Sequence, residues 1–267
     1  MKNLGFILVL MKLGGKIGPA LLKLLKGAKV TKGALAVGSM GAYSYLFTWE
    51  FAIILLTAIV VHEYGHIKGM KMCGIATKGI YLIPFFGGAA VPSESFQSYK
   101  KESIVSIMGP LYGIISIFPF ALLFYYTNDP KWAGICSIIA LINLFNLLPI
   151  NPLDGGRIIK SIAFSLNTKF GFLIVFLGFI FAFFLIAYLK IYLLLIILFI
   201  GMIEIGADFY YYRKNNFQYL EYELMNKKEI IQQAFIYIGV IVLFISIIFN
   251  YSNVEGADLA LKILQDK

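Results

Sequence analysis

Read only for hydrophobic and polar positions, the chain alternates long apolar runs with short polar joints. Six runs approach the roughly 20 apolar residues that a helix needs to cross a bilayer. They are Thr48 to Met70, Ser103 to Tyr126, Trp132 to Leu148, Phe170 to Tyr188, Ile191 to Phe209 and Ile230 to Phe249. A further run, Gly33 to Phe47, is short and glycine-containing, and fits either a short span or a re-entrant piece. Residues 74–101 break the pattern. Pro84, Gly87, Gly88 and Pro92 forbid a continuous helix there. The β-branched and aromatic residues of Ile80 to Val91 predict a hairpin or an extended re-entrant loop. Non-helical backbone at membrane depth is tolerated only where it faces protein or a wet cavity. The expected fold is an all-α polytopic membrane protein with about six transmembrane helices and this one extended loop.

Four regions follow from that pattern. Residues 1–47 form a basic amphipathic N-terminal segment with a candidate short span, and residues 48–165 form a membrane core. Residues 166–250 supply additional transmembrane helices, and 251–267 are a short tail.

Composition supports the membrane reading. The chain is 60% hydrophobic and 14% charged, against about 45–50% and 25% for a soluble domain. Cys73 and Cys136 lie far apart in sequence, which excludes a disulfide framework and a cysteine-based metal cage. The net charge of +9 is unevenly placed: residues 1–33 carry seven lysines and no acid, leaving 16 basic and 14 acidic residues in the rest. Leucines 21, 22, 24 and 25 sit among those lysines, so the segment reads as an interfacial helix on anionic lipid. No nucleic-acid partner is expected. Residues 2–12 have the basic start and apolar stretch of a signal peptide but no small-residue cleavage site, so the segment reads as retained.

Basic residues in the joints set the expected orientation. If the helix ending near Met70 ends on the cytoplasmic side, twelve loop lysines and arginines between Lys68 and Lys228 fall inside. Four, Lys131, Lys190, Lys262 and Lys267, then fall outside. The Ile-, Lys- and Phe-rich composition points to a prokaryotic cell membrane.

Both histidines lie in one pentapeptide, His62-Glu63-Tyr64-Gly65-His66, toward the end of the Thr48 to Met70 run. Positions i and i+4 of a helix share a face, so both imidazoles can reach one metal ion. Glu63 sits about 100° round the helix, close enough to act as a base beside the metal without ligating it. A catalytic zinc site takes three protein ligands and leaves one position open. No third histidine exists, and acids near apolar runs are few: Glu50, Asp154, Glu204 and Asp208. Asp154 is favoured, because it sits in a Pro/Gly-rich helix break where a short carboxylate can be aimed.

The pentapeptide taken with Asn143-Leu-Phe-Asn146-Leu-Leu-Pro149-Ile-Asn-Pro152-Leu-Asp154-Gly155-Gly156 resembles the site-2 protease family of intramembrane zinc metalloproteases. The likeness runs from about Thr48 to Arg157. Gly109-Pro110-Leu-Tyr-Gly113 and Ile83-Pro84-Phe-Phe-Gly87 are similar to further family features. The resemblance implies His62, His66 and Asp154 as zinc ligands and Glu63 as general base. It places Asn146 against the substrate or intermediate. Asn143, three residues earlier on roughly the same face, is read as a packing residue. The resemblance also implies a single-span membrane protein or a signal-peptide remnant as substrate. Two other readings stay open. Glu204-Ile-Gly-Ala-Asp208 has the ExxAD form of another membrane zinc protease type, in which Glu204 would be the third ligand. The same ligands could also serve a non-hydrolytic metal-binding scaffold or transporter.

Overall fold

The computed structural model describes residues 32–84, 87–189, 194–214 and 222–255. The expected interfacial leader helix, residues 215–221 of the linker and the end of the tail lie outside the described residues.

Eight helices and one hairpin are described: α1 (Lys32–Leu46), α2 (Trp49–Met72), β1 (Thr77–Ile83), β2 (Gly87–Pro92), α3 (Tyr99–Thr127), α4 (Pro130–Asn146), α5 (Asp154–Leu166), α6 (Thr168–Leu189), α7 (Leu194–Lys214) and α8 (Lys227–Ser252). The helices over Trp49–Met72, Tyr99–Thr127, Thr168–Tyr188 and Lys227–Ser252 are long and apolar enough to cross a membrane. The other two expected spans are also helical, over Pro130–Asn146 and Leu194–Lys214. Large apolar side chains such as Phe235 at 79% and Phe184 at 66% exposure face outward, as a lipid-facing surface requires. This is a polytopic helical membrane protein.

Local chemistry sets the helix ends. Thr48 caps α2 by accepting a hydrogen bond from the Phe51 amide. Asp129 caps α4 ahead of Pro130, whose missing N–H costs nothing in a first turn. Asn128 ends α3 in the left-handed conformation. Asn226 and Glu229 cap α8 reciprocally.

The helix pair that frames the site is α2 against α3, joined by the hairpin. Little hydrophobic gain drives helices together in lipid, so close approach depends on small residues. Gly65 and Gly69 of α2 lie against the backbone of Met108 and Val105, and Gly109 of α3 faces both histidines. Strands β1 and β2 pair antiparallel with Ile80 opposite Ala90. The extended segment expected after the Thr48 to Met70 run is therefore a hairpin.

Helix α5 is a finding that the apolar pattern did not contain. It is short, and Arg157 and Lys160 interrupt its apolar residues, so it does not read as a span. It begins at Asp154 and sits tightly on the end of α4. A side chain at Gly155 would strike the Leu147 and Leu148 carbonyls, and one at Gly156 would strike Ile150 and Asn151. The two glycines are what let the helix start there. Tyr237 of α8 donates to the Leu147 carbonyl at 2.6 Å and pins the same turn.

Candidate metal centre

The fold brings His62 and His66, on α2, against Asp154, 92 positions after His62 on α5. His62 Nε2 lies 3.1 Å from Asp154 Oδ2, His66 Nε2 lies 3.4 Å from the same oxygen, and the two Nε2 atoms are 3.1 Å apart. A tetrahedral metal bound at about 2.0–2.1 Å separates its ligand atoms by roughly 3.3–3.4 Å. The triangle therefore has nearly the size that one zinc ion needs.

The other ring nitrogens are accounted for. His66 Nδ1–H donates to the Val105 carbonyl at 2.8 Å, and that oxygen can only accept. Asn143 uses its amide N–H on the Ile139 carbonyl at 2.9 Å, which turns its Oδ1 toward His62 Nδ1 at 2.8 Å. Both Nδ1 atoms thus carry the proton, and both Nε2 lone pairs point at one place. Three donor atoms, two on buried imidazoles and one on the part-buried Asp154, converge with free lone pairs and fit a cation.

Asn143 corrects the packing role expected of it. It is 2% exposed and does fill space against Gly113, but it also orients a proposed ligand. A polar residue about one turn before the end of α4 was the available signal. Its partner became visible only when α4 was laid against α2.

Glu63 lies in the same buried cluster, its nearest oxygen within 4.8 Å of both imidazole nitrogens. Its Oε2 accepts from the Ala90 amide of β2 at 2.7 Å. Gly88 makes the approach possible, because a β-carbon there would sit 2.6 Å from Glu63 Cγ. A cavity of about 570 Å³ opens over these groups, walled by α2, β2 and the α4–α5 turn. Asn146 lines it, and so does Arg157. Glu204 does not line it, and Asp208 is engaged with Lys160 at 2.6 Å. Asp154 is the carboxylate that meets both imidazoles.

Residues 50–131 match the model of Peptidase family M50. That segment is similar to the M50 peptidases over about a third of the chain. The chain is 32% identical over 126 residues to a zinc metalloprotease of Methanocaldococcus jannaschii, covering 45% of this chain and 35% of that protein. It is 31% identical over 109 residues to stage IV sporulation protein FB of Bacillus subtilis, covering 40% and 38%. The chain thus spans little more than a third of the length of the curated relatives it matches. The M50 segment contains α2, the hairpin and α3, hence both histidines, Glu63 and the glycines that seat them. Asp154 and Asn146 lie beyond it, and the fold returns them to it.

Proposed function

We propose that this protein is an intramembrane zinc endopeptidase that hydrolyses peptide bonds in the transmembrane segments of membrane-anchored substrates. The observation that carries the reading is the triangle of His62 Nε2, His66 Nε2 and Asp154 Oδ2, with Glu63 beside it and, among the described residues, no fourth side chain closing the site. A structural zinc would be enclosed by four side chains; a catalytic one keeps a position open.

His62, His66 and Asp154 would hold the ion, which supplies a Lewis acid and a water reactive near neutral pH. The rest is done by the chain. Glu63, held by the Ala90 amide, takes the proton from the attacking water and returns it to the leaving amine. Asn146, on the cavity wall, offers its amide to the substrate carbonyl oxygen as charge develops there. The substrate enters as an extended strand, since a helix hides its peptide bonds. Because the Ala90 N–H is spent on Glu63 rather than on β1, the outer edge of β2 faces the cavity and is the edge on which such a strand would pair.

The substrate in this reading is a single-span membrane protein or a signal-peptide remnant, as in regulated proteolysis or remnant clearance. The protein sits in a prokaryotic cell membrane with the end of α2 toward the cytoplasm. Glu63→Gln tests the assignment directly. The variant is expected to bind about one zinc per chain while losing on the order of 10²–10⁴ in cleavage rate. Membrane proteomes of cells carrying it should accumulate single-span fragments. Zinc flux into liposomes without cleavage of any membrane peptide would instead identify a transporter.

A further inference from the structure

Arg157 is the one charged side chain of the cavity wall that neither the metal set nor the proton transfer uses. It lies three residues beyond Asp154 on α5, hence on the same face, with β-carbons about 5–6 Å apart. Its Nε is shut off from solvent and has no hydrogen-bond partner. None of the ion pairs among the described residues includes it, whereas Lys160, on the next turn, is paired with Asp208. The acids facing it are Glu204 of α7, Glu102 of α3, Asp154 and Glu63. Their field keeps the guanidinium charged, yet none takes a hydrogen bond from it. Glu63 is spent on Ala90, and Asp154 on the imidazoles.

A guanidinium carries five N–H donors in a planar fork that matches a carboxylate. At membrane depth such a cation costs about 2.5–3.5 kcal/mol or more, and it is normally paired. Here it is left open on the wall of a cavity in which the other charged groups, Glu63, Asp154 and the two histidines, already have partners or a proposed metal.

We propose that Arg157 binds a carboxylate of the peptide in the cavity. That carboxylate is either the new C-terminus made by cleavage or an Asp or Glu side chain beside the cut bond. The inference rests on the peptidase reading for the identity of the ligand, but not for its measurement.

The test is a binding titration on full-length zinc-loaded protein in micelles. The probes are fluorescent leucine-rich peptides of one sequence, ending in a free carboxylate, in an amide, or in an amide with one Asp near the end. Glu63→Gln protein serves as the parent, so that no probe is cut. One of the two acidic probes is expected to bind about tenfold tighter than the neutral amide. Arg157→Gln should reduce that preference to under twofold, and Arg157→Lys, which keeps the charge but loses the fork, should retain part of it. A preference for the terminal acid alone assigns the product carboxylate, and a preference for the Asp probe assigns a substrate side chain. Equal binding of all three probes to the parent overturns the proposal, as does a preference that survives Arg157→Gln. If Arg157→Gln does not accumulate, an undiminished preference in Arg157→Lys is the overturning result. Failure of the peptidase reading would show separately, as absence of cleavage by protein retaining Glu63.

Discussion

Two neutral hydrogen bonds decide which nitrogen of each histidine is free for a metal. Val105 fixes one ring through its carbonyl and Asn143 fixes the other through its side chain. Only the second can be removed by substitution. Asn143→Leu should therefore lower zinc affinity about 10–100-fold, as loss of such supporting partners does elsewhere, while far-UV circular dichroism stays unchanged. A competing chelator measures the affinity. Gly109 matters at the same scale for a steric reason, since a β-carbon there would meet His66 Cε1 and Nε2 and come within 2.8 Å of His62 Nε2. Both rings are held by their Nδ1 bonds and cannot retreat. Gly109→Ala is expected to abolish stoichiometric zinc binding in protein that still accumulates in the membrane. Normal zinc content would show that the rings are less constrained than these bonds imply.

At the scale of elements, the hairpin positions Glu63, the proposed base, and the α4–α5 turn positions Asp154. Strand β2 approaches Glu63 so closely that residue 88 has no room for a side chain. The obstacle is the flexible stem of Glu63 rather than backbone, so Gly88→Ala should fold and push the base aside. The expected outcome is a loss of at least about tenfold in cleavage rate, because a misplaced proton acceptor loses most of a term worth 10²–10⁴. Zinc content, read by atomic absorption, should be unchanged. Substitution of Gly79 offers the contrast. It has a positive φ, 95°, and lies in the other strand, against the Lys32 side chain rather than Glu63. The α4–α5 turn shows what pattern reading misses. Helix α5 was hidden because its basic residues end the apolar run, although Gly155 and Gly156 carried the trace of its tight start.

Across the whole molecule, the site joins two helices whose ligands are separated by 92 positions. An ion bound there favours the folded state by mass action, by about 2.7 kcal/mol at a free concentration a hundredfold above its Kd. Zinc should raise the thermal midpoint in detergent, and a chelator should lower it. In Asp154→Asn the zinc-dependent shift should largely vanish, because one of three proposed ligands is lost. An equal shift in that variant would mean that the metal sits elsewhere. The ion pair of Lys160 with Asp208 ties α5 to α7 on the far side of the same helix. Two of the acids read from the sequence as possible ligands, Glu204 and Asp208, thus stand with that charged row outside the cavity.

The sequence by itself determined the membrane class, most helix spans, the break into extended chain after the histidine helix and the pairing of His62 with His66. All of these depend on spacing of two, four or about twenty residues along one chain. Periodicity reports such short-range facts directly. Tertiary structure decided which carboxylate meets the imidazoles, which side chain orients His62 and why residues 88, 109, 155 and 156 must be small. It also decided that Arg157 faces the cavity unpaired. Those facts depend on contacts between segments many residues apart, where a difference of one ångström settles the outcome and no spacing along the chain records it.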